Sequence, residues 1–327
     1  MRRISWTGAV LAAALALPAA AQAPEATSPP AAAHAAMPDD PDATLVEELV
    51  VTARLPGPAW WKVTDGASTV YVLGTPSLAP KHMQWDRSVF DRRLAGASEV
   101  ILPFQDVRVT LKGALGATVN ILRLRSGTDF EKTLDPATRA RFAAARERLG
   151  EPANRYKTKN ALAAGLLLAS DYREHENLTT SDPTKLIKLL AQRSKVPIKQ
   201  RSYDLGPLMG QVLKTPRAAA DACLDEVLAQ TEAGPSGTLA AARAWAAGDV
   251  RGALSSERSY ERCLAQVPGA RAFDDKIKAD QAAAIIQALK TPGHAIAVVQ
   301  LRPLLSQGGV LDRLRAKGFT IETPDAA

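Results

Sequence analysis

The sequence predicts a mixed α/β protein: a central sheet fed by both ends of the chain around a large, mostly helical middle section. Three observations carry this. Two β-type runs, Trp60–Val63 and Ser68–Leu73, flank Asp65-Gly66, a strong hairpin signal. Near the other end, the apolar run His294–Leu301 reads as a strand buried on both faces, as in a parallel sheet. Between them, from Val107 to Pro268, apolar residues recur mainly at helical spacing. Strand–helix–strand order at both ends is the pattern of a layered α/β domain.

The elements follow in order. Arg2 and Arg3, the apolar run Ala9–Leu17 and Ala21-Gln22-Ala23 make residues 1–23 a signal peptide, which sends the chain to the periplasm of a Gram-negative bacterium. That run falls short of the roughly 20 residues of a spanning helix, and no cysteine follows it to take a lipid. Residues 24–55 are rich in Pro and Ala and read as a semi-extended tether. Residues 56–325 are long enough for one large domain. After the hairpin come a short helix at Asp86–Leu94 and a strand at Glu99–Phe104. Helices are expected at Ala137–Leu149, Lys159–Tyr172, Pro183–Gln192, Ala218–Gln230 and Glu257–Gln266, with a strand at Val196–Tyr203. Asp275–Leu289 places Ala282, Ile285, Ile286 and Leu289 on one helical face, and Thr291-Pro292-Gly293 stops it. Gly309–Lys317 is a helix ended by Gly318, and Phe319–Thr323 is the closing strand.

Composition narrows the function classes without choosing among them. The chain has 41 basic and 34 acidic residues, +7 overall and +5 once Arg2 and Arg3 leave with the leader. A mildly basic exported protein suits anionic glycans or membrane faces, and nucleic acid is excluded as a partner by compartment. Cys223 and Cys263 are an even pair in an oxidising compartment. They are either a disulfide or two buried free thiols. A bridge would stabilise by about 4 kcal/mol on the chain-entropy model. No neighbouring His activates either thiol as a nucleophile.

The stretch Pro58-Ala-Trp-Trp-Lys-Val-Thr-Asp-Gly-Ala-Ser-Thr-Val-Tyr-Val-Leu-Gly-Thr-Pro-Ser77 resembles the opening hairpin of the TraB/GumN family, relatives of the Tiki metalloproteases. The resemblance spans most of residues 58–323 and is strongest at the two ends. It implies a metal site whose first ligand is the His of Gly-x-x-His, where this chain reads Gly74-Thr75-Pro76-Ser77. The family's second motif, Gly-x-Gly-His, corresponds to Gln300-Leu301-Arg302-Pro303. Its acidic residue at the end of the third strand falls in Val100-Ile-Leu-Pro-Phe-Gln105, around Pro103, and its Arg-Asn pair corresponds to Lys276-Ile277. Gly74, Ser77, Pro103, Lys276, Arg302 and Pro303 are therefore the residues of a degenerate family pocket. A hydrolytic metal needs about three N, O or S ligands and an open position. Pro supplies no ligand atom, and a Ser hydroxyl is a poor one, so no catalytic residue, metal or cofactor is assigned.

The remaining polar residues offer no clear substitute. Ser77 lacks the Gly-x-Ser-x-Gly elbow of an exposed nucleophile. His34 lies in the tether, Glu174-His175-Glu176 reads as a solvated helix end, and His294 as a satisfied strand residue. His82 is the one histidine near the expected pocket, and with Asp86 it is the basis of an alternative, a hydrolase with a relocated site. Arg302 is either a sheet-edge ion pair or an anion-recognising residue in the vacated pocket. Lys185, Lys188, Arg193, Lys195, Lys199 and Arg201 form a run without one acid, read as a solvated face. Glu47-Glu-Leu-Val-Val-Thr-Ala-Arg54 resembles the TonB box of outer-membrane receptors, which is captured as an added strand by a periplasmic partner. The plainer expectation for it is a strand of its own domain. The expected protein is thus a periplasmic binding or scaffolding protein without a catalytic centre.

Overall fold

The computed structural model describes residues 40–104 and 130–326. The part of the expected tether before Asp40, the signal peptide and the segment between Gln105 and Asp129 lie outside the described residues. The strands are β1 Trp60–Thr64, β2 Ser68–Thr75, β3 Ala79–Pro80, β4 Val100–Leu102, β5 Leu178–Thr179, β6 Ile198–Gln200, β7 Gly293–Gln300 and β8 Thr320–Glu322. The helices are α1 Ser88–Leu94, α2 Pro136–Arg148, α3 Ala161–His175, α4 Thr184–Arg193, α5 Gly206–Met209, α6 Arg217–Ala233 and α7 Ser236–Ala246. They continue with α8 Val250–Ala253, α9 Ser259–Ala265, α10 Ala270–Leu289, α11 Leu301–Leu305 and α12 Val310–Ala316.

The fold is mixed α/β, as expected. Six strands form one sheet in the order β6-β4-β7-β2-β1-β8. The hairpin forms around Asp65, whose Oδ1 accepts the Ala67 and Ser68 amides at 3.0 and 2.9 Å, with Gly66 at φ 98°. β2 then runs parallel to β7 from Ser68↔Gly293 to Thr75↔Gln300, and β4 and β6 extend the parallel part. Both faces of this region are covered, so β7 is a continuous buried run from Ala295 to Val299. β8 caps the far edge, antiparallel to β1. The chain ends and one strand from the middle, β6, therefore make the sheet.

Helix ends follow local chemistry. Asp135 caps α2 by accepting the Ala137 and Thr138 amides, with Pro136 in the first turn. Asn160 caps α3 through the Ala163 amide. α10 starts at Ala270, five residues before the expected Asp275, because Gly269 at φ 87° delivers the chain directly into a helical turn. β7 ends at Gln300, and Leu301 instead opens α11. The helical middle has its own core, in which Phe142, Tyr156, Leu162, Leu168, Leu224 and Leu228 are fully buried. Cys223 on α6 and Cys263 on α9 form a disulfide there, with Cα atoms 5.1 Å apart. α3 crosses beside it at Gly165, where a Cβ would lie 3.3 Å from the Cys223 sulfur.

One expectation is corrected. Residues 40–55 are not a loose tether but are docked on the domain. Leu45 bridges Ser306, the Val46 amide donates to the Leu305 carbonyl at 2.9 Å, and Thr52 bridges Asp249. Leu49 is fully buried, and its carbonyl accepts Trp61 Nε1 at 3.2 Å. Averaged composition hid four apolar residues, Leu45, Val46, Leu49 and Val50, that join the sheet core.

Two predictions follow from this packing. Cys263→Ser closes no loop in the unfolded chain, so unfolding free energy by urea titration should fall by about 4 kcal/mol. At Gly74 an added Cβ would meet Leu301 Cδ2 at 2.4 Å and Trp61 Cζ3 at 3.0 Å. Gly74→Ala should therefore cost about 1–3 kcal/mol by overpacking, read from the same titration.

Candidate functional site

The carboxyl ends of β2, β4, β6 and β7 lie along one edge of the sheet, since Thr75 is level with Gln300 and Leu102 with Gln200. That edge is where open α/β sheets place ligands. All six residues singled out in the sequence map to it or beside it, but their contacts fall into two groups.

The first group surrounds β2 and β7. Gly74 is fixed by Trp245 of α7, whose Nε1 donates to its carbonyl at 2.6 Å. Ser77, two residues past the strand, lies beside Glu261 on α9, where its hydroxyl favours the ionised carboxyl. Glu261 is pushed up by burial, against the opposing pull of its own amide, Arg173, Arg258 and Ser77. Arg302 on α11 donates from Nη2 to the Leu254 carbonyl at 2.8 Å and from Nη1 to the Asp42 carbonyl at 3.3 Å. Pro303 follows it inside the same short helix. Arg258, 8 % exposed, links the two halves electrostatically and is ion-paired to Asp40. The terminal nitrogens of Arg302 are held by backbone carbonyls and not by the carboxylate of a sheet-edge ion pair.

The second group lies under β4 and β6. The Pro103 carbonyl accepts Gln200 Nε2 at 3.0 Å, and Gln200 in turn takes Lys188 Nζ at 3.1 Å. Lys276 pairs with Asp280 at 2.8 Å, and Asp280 also accepts the Tyr203 hydroxyl at 2.8 Å and Arg201 at 3.1 Å. Burial pushes Asp280 up, but these three donors outweigh it and hold the carboxyl below its ordinary range. A cleft of about 540 Å3 opens between this network and α10, lined by Leu102, Phe104, Ile198 and Ile277.

The donor chemistry does not fit a metal. The ligand positions implied by the resemblance hold a Ser hydroxyl beside Glu261 and two prolines, with the Arg302 guanidinium next to one of them. A guanidinium repels a cation and offers no lone pair. Among the described residues no group of three His, Cys, Asp or Glu side chains is arranged to hold a metal ion. His82 is exposed at φ 62°, its amide held by Asp182, while Asp86 accepts the Ser88 amide at the start of α1. The two are spent separately. His294 is satisfied, with Nε2 2.8 Å from the Arg93 carbonyl and its ring against Tyr71. In the basic run, Lys188, Lys199 and Arg201 have partners in Gln200, Glu99 and Asp280, while Lys185, Arg193 and Lys195 are exposed. The segment Glu47–Arg54 has its Leu49, Val50, Ala53 and Arg54 amides bonded within the domain, so capture by a partner would first have to break that pairing.

Sequence reasoning missed Glu257, Arg258, Glu261 and Arg262. They sit at the start of a short helix with no motif, and only the fold brings them to the end of β2. Burial, with Glu261 adding repulsion, raises Glu257 from 4.5 to about 7. A carboxyl raised on folding contributes stability that is fully present below its unfolded value and is lost as pH rises to about 7. Glu257→Gln keeps the acceptor for the Ser259 amide and removes this loss. The variant should gain on the order of 2 kcal/mol over the wild type at about pH 8 and almost nothing near pH 4, measured by urea unfolding.

The sequence profile of the TraB/PrgY/gumN family matches residues 59–323. No curated protein and no solved structure matches the chain. The match begins at the hairpin and ends at β8, so it takes in the whole six-stranded sheet and all six residues singled out in the sequence. The chain belongs to the TraB/PrgY/gumN family.

Proposed function

We propose that this chain is an exported family member that works in the periplasm as a binding or scaffolding protein, without metal-dependent hydrolase chemistry. The observation that carries the reading is the state of the first group: both terminal nitrogens of Arg302 are held by backbone carbonyls, and the Ser77 hydroxyl lies beside the Glu261 carboxyl. Side chains committed in this way bind charge, and among the described residues no group of three His, Cys, Asp or Glu side chains is placed to hold a metal that would lower the pKa of an attacking water. Export is supported by the leader pattern of residues 1–23 and by the disulfide, which persists in an oxidising compartment. No helix among the described residues is long and apolar enough to cross a membrane.

Elemental analysis of the purified protein tests the reading. Manganese and zinc are expected well below one per chain, with no chelator-sensitive peptidase activity. Stoichiometric metal together with an activity lost on chelation and in His82→Ala would overturn it in favour of a relocated site. Cell fractionation tests location: the chain should be recovered from the periplasm with residues 1–23 removed, and a cytoplasmic, uncleaved chain would refute export.

A further inference from the structure

We propose that the cavity between Asp40 and Arg302 is an oxyanion-binding site whose ligand position is taken, in this structure, by the carboxylate of Asp40. The inference rests on the binding reading above and gives it a ligand class. The cavity is about 460 Å3, the size of a small-molecule site. Three guanidinium groups line it, from Arg258, Arg262 and Arg302. Arg258 is buried and grips Asp40 as a fork: Nη2 donates to Oδ1 at 2.8 Å and Nη1 to Oδ2. This is the geometry by which arginine recognises a free carboxylate or phosphate.

The other two arginines are not fully spent. Arg302 uses its terminal nitrogens on neutral carbonyls, which leave its charge uncompensated, and its buried Nε has no acceptor. Arg262 pairs with Glu226 through Nη2, yet its Nε is also buried and without an acceptor. Ser256, on the same wall, has a buried hydroxyl with no partner. Folded proteins rarely leave such donors unmet. The two Nε–H groups lie behind the cavity wall and add to its positive potential.

The charge balance favours an anion. The acids facing the cavity are Asp40 and Glu257, and burial disfavours ionisation of Glu257. Asp42 is directed elsewhere, held with Asp274 on the Lys278 ammonium at 2.7 and 2.6 Å. With Arg262 paired to Glu226, two cations, Arg258 and Arg302, share one strong carboxylate, and that carboxylate belongs to a segment 218 residues away in sequence. A small molecule carrying a carboxylate or phosphate group would compete with Asp40 for Arg258, with the Arg302 charge beside it.

Asp40→Asn removes the internal competitor at nearly constant volume. Calorimetric titration at fixed ionic strength, with sodium phosphate, sodium succinate and sodium chloride in separate arms, reads the result. The variant should bind phosphate or succinate about 10-fold or more tighter than the wild type, because the competition of a tethered group is gone. Chloride should give no saturable heat, and the tighter arm identifies phosphate or carboxylate. Adding Arg302→Gln should remove the gain. A second readout needs no Asp40 variant: phosphate or succinate should raise the wild-type melting midpoint above the chloride control, and Arg302→Gln should abolish the rise. No gain in Asp40→Asn, or, should that variant not fold, midpoints equal to the chloride control, would overturn the site. Failure here with a metal-free protein leaves the binding or scaffolding reading standing, whereas stoichiometric metal would sink that reading and not this one.

Discussion

Two indole N–H bonds hold the molecule's separate parts to one strand end. Trp245 of α7 donates to the Gly74 carbonyl at 2.6 Å, and Trp61 of β1 donates to the Leu49 carbonyl at 3.2 Å. Both bonds are buried, where an unmet donor is costly. Gly74 permits this arrangement because it has no Cβ, which lets Leu301 and Trp61 close over it. The end of β2, the start of α11, the helical middle and the segment after Asp40 thus converge on one point. Trp85 packs edge-on against Trp245 and Phe90, carrying the contact on to α1.

That convergence also shapes the sheet edge. In an open parallel sheet the carboxyl ends of neighbouring strands form a crevice. Here α9 and the 40–46 segment enter that crevice and fill it with charge: Glu257, Glu261, Arg258 and Asp40. Burial favours the neutral forms of the two glutamates, while the Arg258 fork outweighs burial at Asp40 and holds it below the ordinary carboxylate range. Opposite signs at short range keep the cluster together. The same cluster leaves donors over, which sets it apart from a purely structural ion pair.

Much of the architecture was legible in local sequence. The hairpin was set by Asp65-Gly66, β7 by an unbroken apolar run, and α12 by the glycine that follows it. These signals are local because turn geometry and hydrophobic period act within a few residues. Element ends were less legible. Glu99–Phe104 and Val196–Tyr203 shrank to three residues each, since a strand extends only as far as its neighbour's ladder. α7 gave no separate signal, because its Ala-rich sequence looks alike on every face. Of the site, Ser77 and Arg302 were found by comparing motifs, and the residues that hold them were not.

The sequence by itself determined the class of fold, the family and the pairing partners available to the two cysteines. These depend on residue identity and spacing alone. Tertiary structure decided which cysteine alternative holds, where the domain begins and what surrounds Ser77 and Arg302. Asp40 and Arg258 are 218 residues apart, and Ser77 meets Glu261 from a different layer. Contacts of that kind are fixed by how the sheet and the helical middle pack, and no local preference of either segment encodes them.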